Sequence, residues 1–271
     1  EQNLIIWGDY SVDIDESNTV NGRPVYYWIN RQDMEVPPDA GYVALINCTG
    51  ITVRNQNLSN NNIGILLAST TNSMIANSTF SSNTYGIYCT GSGNTITGNT
   101  VKNNPSIGIF ISSSSNTLNG NYITASSTGI SFNLGVGNTI VGNQIVENAV
   151  GMRFITHAYD DCARDNLIYS NNFIDNDQNV YNMHLIFSPD PINIWDNGTI
   201  GNYWDDYMGT DSDGDGVGDS PYVIDANNQD NYPLMAPIPE FPSWASMLLI
   251  LIVLTVAIAI YKRKLLKTPI H

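Results

Sequence analysis

The feature that most constrains this chain is a repeat with a period of about 22 residues. Short apolar segments recur in phase with asparagine, and six asparagines align when the repeats are superposed: Asn55, Asn77, Asn99, Asn121, Asn143 and Asn171. Successive members are 22 residues apart, except for a last interval of 28. A glycine keeps the same period inside the next apolar segment, at Gly64, Gly86, Gly108, Gly129 and Gly151. Two independent markers with one period indicate a repeat architecture.

The length of the repeat selects the fold. Three short strands in about 22 residues are too few for a helical hairpin and lack the spacing of leucine-rich repeats. We therefore predict an all-β fold, a parallel β-helix with three-strand coils, and the usual handedness of parallel crossovers favours the right-handed form. Coils stack at about 4.8 Å, so the asparagines form one ladder and tolerate a left-handed corner. A disordered tract is disfavoured because apolar strands recur in phase.

Charge and composition limit the classes of function that the chain can have. The chain has 10 Lys and Arg against 25 Asp and Glu, a net charge of −15, and 36 asparagines. Such an acidic surface repels nucleic acid, so we predict no nucleic-acid partner. Residues 1–243 hold 6 of the basic and all 25 acidic side chains, whereas residues 244–271 hold 4 basic and no acidic ones. The two parts therefore face different surroundings.

The C-terminal part predicts a membrane anchor. Residues 244–261 are uncharged, long enough for one transmembrane helix, and followed by a basic tail, 262–271, that we place in the cytoplasm. The remainder then lies on the extracellular face of the membrane, and Cys48, Cys89 and Cys162 permit one disulfide there. No signal peptide precedes Glu1, so we interpret the sequence as a mature form or a fragment.

The repeats at residues 41–200 resemble the parallel β-helix repeats of NosD and of carbohydrate-binding and sugar-hydrolase (CASH) proteins. Residues 13–30 and 201–235 resemble the segments that flank such repeats in archaeal cell-surface proteins. The resemblance implies an N-terminal cap with the first coils at 1–40 and a C-terminal cap at 201–235. The prolines of residues 236–243 predict an extended, semi-rigid stalk. The PEFP sequence at 239–242 resembles PEF-type sorting tails, which implies cleavage near Pro239 by an archaeosortase-type enzyme; otherwise the helix stays as the anchor.

The C-terminal cap contains a calcium-like loop. Acidic residues occupy positions 1, 3, 5 and 9 of a D-x-D-x-D-G-x-G-D pattern, with a backbone carbonyl at position 7: Asp211, Asp213, Asp215, Asp219 and Val217. Alternating oxygens at this spacing suit a hard cation, so we predict a structural calcium ion. Asp225 or Asp230 could complete the shell, and a solvated acidic turn is the alternative. The aromatic residues of the cap cover the end of the solenoid in our interpretation, with carbohydrate stacking as the alternative: Tyr203, Trp204, Tyr207, Tyr222 and Tyr232.

An insertion between Asn143 and Asn171 is where catalytic residues would be sought. It gathers the weak candidates His157, Asp160, Asp161 and Arg164 next to Arg153 and Asp165. Two carboxyl groups could hydrolyse a glycan if they stood at the required separation. Adjacent residues on a strand point to opposite faces, so only a loop offers that geometry. A surface loop with a local salt bridge is the favoured interpretation, and no catalytic residue is assigned.

The resemblance to NosD also implies copper handling. Copper favours sulfur and imidazole ligands, but the available candidates show no ligand spacing: Met152, His157, Cys162, Met183 and His184. We therefore expect no copper site. The function that we predict is a structural, adhesive or glycan-binding role at the cell surface, with glycans or surface proteins as partners. The alternatives are a polysaccharide hydrolase, lyase or epimerase and a copper-handling accessory protein.

Overall fold

Three parallel sheets follow the repeats and form the faces of a β-helix. The computed structural model describes residues 10, 12, 14–156, 163–183 and 191–239. Residues 1–238 form one compact unit, and residues 239–271 form a second one. Among the described residues no helix could span a membrane, and the predicted span at 244–261 lies outside them.

The strands are numbered in chain order. The long sheet has nine strands: β1 (Thr19–Val20), β2 (Arg23–Ile29), β3 (Tyr42–Ile46), β6 (Ile63–Ala68), β9 (Tyr85–Cys89), β12 (Ile107–Ile111), β15 (Thr128–Asn133), β19 (Val150–Ile155) and β23 (Gln178–Met183). The six-stranded sheet contains β4 (Thr52–Arg54), β7 (Met74–Ala76), β10 (Thr95–Thr97), β13 (Thr117–Asn119), β17 (Thr139–Val141) and β21 (Leu167–Tyr169).

The seven-stranded sheet contains β5 (Asn57–Ser59), β8 (Thr79–Ser81), β11 (Thr100–Lys102), β14 (Tyr122–Thr124), β18 (Gln144–Val146), β22 (Asn172–Ile174) and β24 (Tyr203–Trp204). Within these three sheets every pair is parallel except β1 with β2. Two further pairs are β16 (Gly135–Val136) with β20 (Ala163–Arg164), parallel, and β25 (Tyr222–Val223) with β26 (Gln229–Asp230), antiparallel. The predicted parallel β-helix is confirmed for the described residues, and its right-handed sense stays a prediction.

Register brings like residues together in the core. Ile75, Ile96, Leu118, Ile140 and Ile168 face one another along the six-stranded sheet and are fully buried. Alternation along each strand sends one apolar side chain inward and its polar neighbours outward. Each strand of three residues is too short to be stable alone, so its stability depends on stacking between neighbouring coils.

The repeated glycines allow close approach between coils. A Cβ atom added to Gly86 would lie 2.6 Å from the carbonyl oxygen of Gly108 and 2.7 Å from a methyl group of Val101. Gly108 would meet the carbonyl oxygen of Gly129 at 2.6 Å. Any side chain here would therefore separate the coils, which explains why glycine keeps the period.

Candidate functional site

Buried asparagines join the coils at three corners. In the ladder between the six- and seven-stranded sheets, the backbone N–H of Asn99 donates to Oδ1 of Asn121 at 3.0 Å, and Asn121 repeats this bond to Asn143. The amide of Asn121 also donates back to the carbonyl of Ile96 at 2.9 Å. The members of this ladder are Gln56, Ser78, Asn99, Asn121, Asn143, Asn171, Asn202 and Asp230.

The aligned asparagines do not all belong to this ladder. Asn99, Asn121, Asn143 and Asn171 do, but Asn55 and Asn77 stand one position earlier, exposed and left-handed with φ of 57° and 49°. The paired strands place them level with Gly98, because Arg54, Ala76 and Thr97 share one register. At this corner each coil has a left-handed residue followed by a buried ladder residue. The alignment on asparagine mixed these two positions, because asparagine occupies the left-handed position in some coils and the ladder position in others.

The other two ladders were not predicted. One contains Ser73, Asn94, Asn116, Asn138, Asn166, Asn193 and Asn228. The second includes Asn61, Asn83 and Asn104, and further along Ser126, Asn148 and Asn176. The sequence contained a signal for the ladder of Asn94, because Asn94, Asn116 and Asn138 each precede Thr and an aliphatic residue at intervals of 22.

The ladder that contains Asn121 ends on a buried carboxylate. Asp230 Oδ2 accepts hydrogen bonds from Asn202 N at 2.6 Å and Trp204 Nε1 at 2.9 Å, and its Oδ1 accepts one from Tyr232 N at 3.0 Å. Burial raises the pKa of Asp230 above its usual value, although these donors act in the opposite direction. The carboxylate closes the ladder because it accepts bonds and requires no further coil as an acceptor.

Stacked aromatic rings cover the end of the core. Trp204 lies 4.3 Å from Phe173 and 4.2 Å from Tyr222, ring centre to ring centre, and all three rings are nearly parallel. Trp204 is buried, whereas Tyr203, Tyr207 and Tyr222 are partly exposed and Tyr232 is exposed. The contacts of Trp204 and Tyr222 match a cover for the core more closely than an open carbohydrate platform.

The acidic loop gathers three of its four predicted carboxylates. One oxygen each from Asp211, Asp213 and Asp215 lies within 4.8 Å of the others. Hydrogen bonds from the backbone, that from Gly216 first, hold the pKa of Asp211 below its usual value and keep it ionised. Three acidic oxygens so close together suit a hard cation.

The other carboxylates considered for the calcium site are bound elsewhere. Asp219 Oδ2 accepts bonds from Ser212 Oγ at 2.7 Å and Thr210 Oγ1 at 3.1 Å. Asp225 accepts bonds from Asn228 at the end of a ladder, and Asp230 closes another. Val217 belongs to the loop, where its N–H donates to Asp215 Oδ1 at 2.8 Å. The structure thus brings together the first three positions of the pattern and not the ninth.

The part of the insertion that the structure describes contains no catalytic pair of carboxylates. His157, Asp160 and Asp161 lie outside the described residues. Arg164 is exposed and pairs with Asp165 at 2.6 Å, with half of each side chain open to solvent. An exposed pair of this kind contributes little to stability, about 0–1 kcal/mol. The described end of the insertion therefore has the local salt bridge of the favoured interpretation.

Two of the five copper candidates lie in the part of the chain that the structure describes. Met152 is fully buried in the core, Met183 is the last residue of β23, and His157, Cys162 and His184 lie outside the described residues. Cys48 and Cys89 are buried as free thiols, and burial raises the pKa of both. A protonated thiol in the core is a poor ligand. Among the described residues the only cluster of potential metal ligands is the carboxylate group of the acidic loop, whose hard oxygens do not suit Cu(I).

A cationic position lies on the outer face of the long sheet. Arg153 alternates with the core residues Met152 and Phe154, so its side chain points outward. Its Nε and Nη2 lie 3.3 and 3.2 Å from Ser131 Oγ on the preceding strand. On the following strand it is level with Tyr181, which is 42% exposed. The ion pairs found in the described part of the chain do not involve Arg153.

An acidic cleft of about 650 Å³ lies at the C-terminal end of the long sheet. Its walls are residues 175–180 on one side and Asp205, Asp206 and residues 222–224 on the other. Asp206 accepts hydrogen bonds from Asn179 at 3.1 Å and from the Tyr222 hydroxyl at 3.1 Å. Burial, and after it the charges of Asp206 and Asp205, raise the pKa of Tyr222 to about 12, so this hydroxyl stays protonated.

Comparison with known families agrees with the geometry of the coils. The model of the family described as "Periplasmic copper-binding protein (NosD)" matches residues 10–209, which is most of the chain. A comparison with curated proteins found no match.

Proposed function

Because the chain belongs to the NosD family, whose description is periplasmic, we propose that it is an extracytoplasmic β-helix protein with a structural or adhesive role that binds glycans. The coils supply a rigid support, since buried ladders of polar side chains run along three corners and fix the outward side chains relative to one another. Fold alone assigns no ligand, so the glycan is argued from the outer face of the long sheet.

The observation that carries this proposal is the arrangement of Arg153 and Tyr181. The two residues occupy the same register on neighbouring strands, which are about 4.8 Å apart, so their side chains project next to each other from the outer face of the long sheet. Guanidinium groups donate to sugar hydroxyls and carboxylates, and tyrosine combines an apolar face with a polar tip. One sugar residue could contact both side chains.

A glycan array probed with the full chain in detergent tests the proposal. We expect binding that weakens at least tenfold in the Arg153→Gln and Tyr181→Ala variants, because central anchor residues carry most of an interface's affinity. Tyr122→Ala is the matched control, since Tyr122 is a partly exposed strand tyrosine on the seven-stranded sheet. A glycan that bound all four proteins equally would contradict the site, and an array without any binding would contradict the function.

The acidic loop supports a second role, binding of a structural calcium ion. Its support is the set of three carboxylate oxygens within 4.8 Å. An ion there would relieve the mutual repulsion of Asp211, Asp213 and Asp215 and stiffen the C-terminal cap. Other ligands would come from water or backbone carbonyls, because Asp219 is held by Ser212 and Thr210.

The anchor at 244–261 and processing near Pro239 belong to the same proposal. The support is sequence pattern: an uncharged stretch followed by a basic tail. Mass spectrometry of the native C-terminus separates an intact helix from a cleaved chain. The enzymatic and copper alternatives have their own tests, which are turnover of a polysaccharide panel and stoichiometric binding of Cu(I), and a positive result in either would displace the adhesive role.

A further inference from the structure

In the part of the chain that the structure describes, the long sheet ends at β23. The chain segment after β23 adds β24 to the seven-stranded sheet and pairs Ile194 with Leu167 beside the six-stranded sheet. It then turns, with the N–H of Tyr207 donating to the carbonyl of Trp204 at 3.1 Å, and continues into the acidic loop. In the described part of the chain, β23 therefore pairs with β19 and has no strand on its other edge.

The side chains of Asn179 and Asn182 on β23 donate hydrogen bonds to Asp206 and Asp225 of the cap, but the outer backbone edge of the strand pairs with no described strand. The carbonyl oxygen of Val180 accepts a bond from the side-chain amide of Gln178 at 3.0 Å, where an interior strand would receive a neighbour's backbone N–H. Exposed edges are usually protected by lysine, proline or a covering element. The sequence of β23, QNVYNM, contains neither lysine nor proline. An added strand could therefore replace the weak local bond of Gln178.

The acidic cleft lies along this edge. Residues 175–180, which include the first half of β23, form one wall, and Asp205, Asp206 and residues 222–224 form the other. The cleft thus lies beside the strand to which a further strand would be added. Val223 on the far wall is 67% exposed and offers apolar contact to whatever enters.

The charge of the cleft selects its occupant. Four aspartates line it, Asp175, Asp177, Asp205 and Asp206, and none of the lining residues is Lys or Arg. Residues 1–243 as a whole carry 6 basic against 25 acidic side chains, so the surrounding field is negative as well. Anionic ligands are repelled from such a cleft and cationic ones are concentrated in it.

We propose that the cleft binds an extended, lysine- or arginine-rich segment of a partner protein, which joins the long sheet as a strand beside β23. Main-chain bonds to the open edge would supply affinity, and the aspartates would select basic side chains, as in other complexes formed by strand addition. This surface uses the backbone edge of β23, whereas the glycan position uses the outer-face side chains of Arg153 and of Tyr181, which belongs to the same strand.

Three nine-residue peptides with blocked ends test the proposal by calorimetry against the full chain in detergent. The first alternates Lys and Thr, the second alternates Glu and Thr, and the third is the Lys–Thr peptide with N-methyl groups on its central residues. We expect the first to bind, the second not to bind, and the third to bind at least tenfold more weakly because it lacks the main-chain donors.

A substitution pair locates the site. The Asp177→Asn variant should weaken the Lys–Thr peptide about two- to fivefold, because it removes one exposed charge from the cleft. Asp33→Asn is the control, since it makes the same charge change at an exposed position in an early coil, away from the cleft and the acidic loop. Equal affinity of the first and third peptides would overturn strand addition. Equal loss in both variants, no binding of the Lys–Thr peptide, or its displacement by a neutral oligosaccharide would overturn the cleft as a peptide site.

Discussion

Replacing Asn121 by alanine tests whether the buried amides hold the coils together. Asn121 lies in the middle of its ladder and is fully buried. Its Oδ1 accepts bonds from the backbone and side-chain nitrogens of Asn99, both at 3.0 Å. Its Nδ2 donates to the carbonyl of Ile96 and to Oδ1 of Asn143, both at 2.9 Å. Alanine removes all four bonds and leaves the backbone in place.

The expected loss follows from the groups left without partners. Removing the amide leaves the backbone N–H of Asn99 buried without its acceptor, which costs about 1–3 kcal/mol, and takes one hydrogen bond each from the Ile96 carbonyl and the Asn99 side chain. The small cavity left by the amide adds to this. We expect the free energy of unfolding to fall by about 3–5 kcal/mol, at the upper end of single substitutions. With an m-value of about 3 kcal/mol/M, the urea midpoint would fall by about 1–2 M.

Urea unfolding followed by circular dichroism measures this loss. Asn119→Ala is the matched control, because Asn119 lies on the same coil at the end of β13 with its side chain exposed, and its loss should stay within about 0.5 kcal/mol. Asn121→Asp should be worse than alanine at neutral pH and recover as the pH falls, since it buries a charge that protonation removes. If Asn121→Ala and Asn119→Ala cost the same, the ladder does not stabilise the coils and our interpretation is wrong.

Three further predictions concern other parts of the fold. Gly108→Ala should lower the free energy of unfolding by about 1–3 kcal/mol, measured by urea titration, because its Cβ would meet the Gly129 carbonyl oxygen at 2.6 Å; an unchanged midpoint would contradict the close approach of the coils. Asp230 has a folded pKa above its unfolded value of about 3.9. Its contribution to stability is therefore complete below pH 4 and is lost as the pH rises through the folded pKa. Thermal unfolding between pH 3 and 8 should show this loss in the wild type and not in Asp230→Asn, and parallel pH profiles would refute it. Chelation of calcium should change the fluorescence of Trp204, which contacts the cap residue Tyr222, and the Asp211→Asn variant should not respond; a wild type indifferent to millimolar calcium counts against the ion.

Much of the fold was predictable because it depends on local repetition. A period of 22 residues with apolar segments in phase admits few architectures, and the predicted parallel strands and stacked coils are confirmed. The repeated glycines were also interpretable, since close backbone approach is one of the few reasons to keep glycine at a fixed position. The clustering of Asp211, Asp213 and Asp215 follows from their spacing in a single loop.

The sequence by itself determined the class of fold, the period of its coils and the acidic character of its surface, because each depends on residues close together in the chain or on their sum. Tertiary structure decided which residue of each corner points inward, and so placed Asn55 and Asn77 outside the ladder that contains Asn99. It also directed Asp225 and Asp230 to the ends of ladders and left β23 beside an open cleft. These outcomes depend on register and contacts between residues one or more coils apart, and a linear pattern does not specify which of several chemically similar side chains will meet.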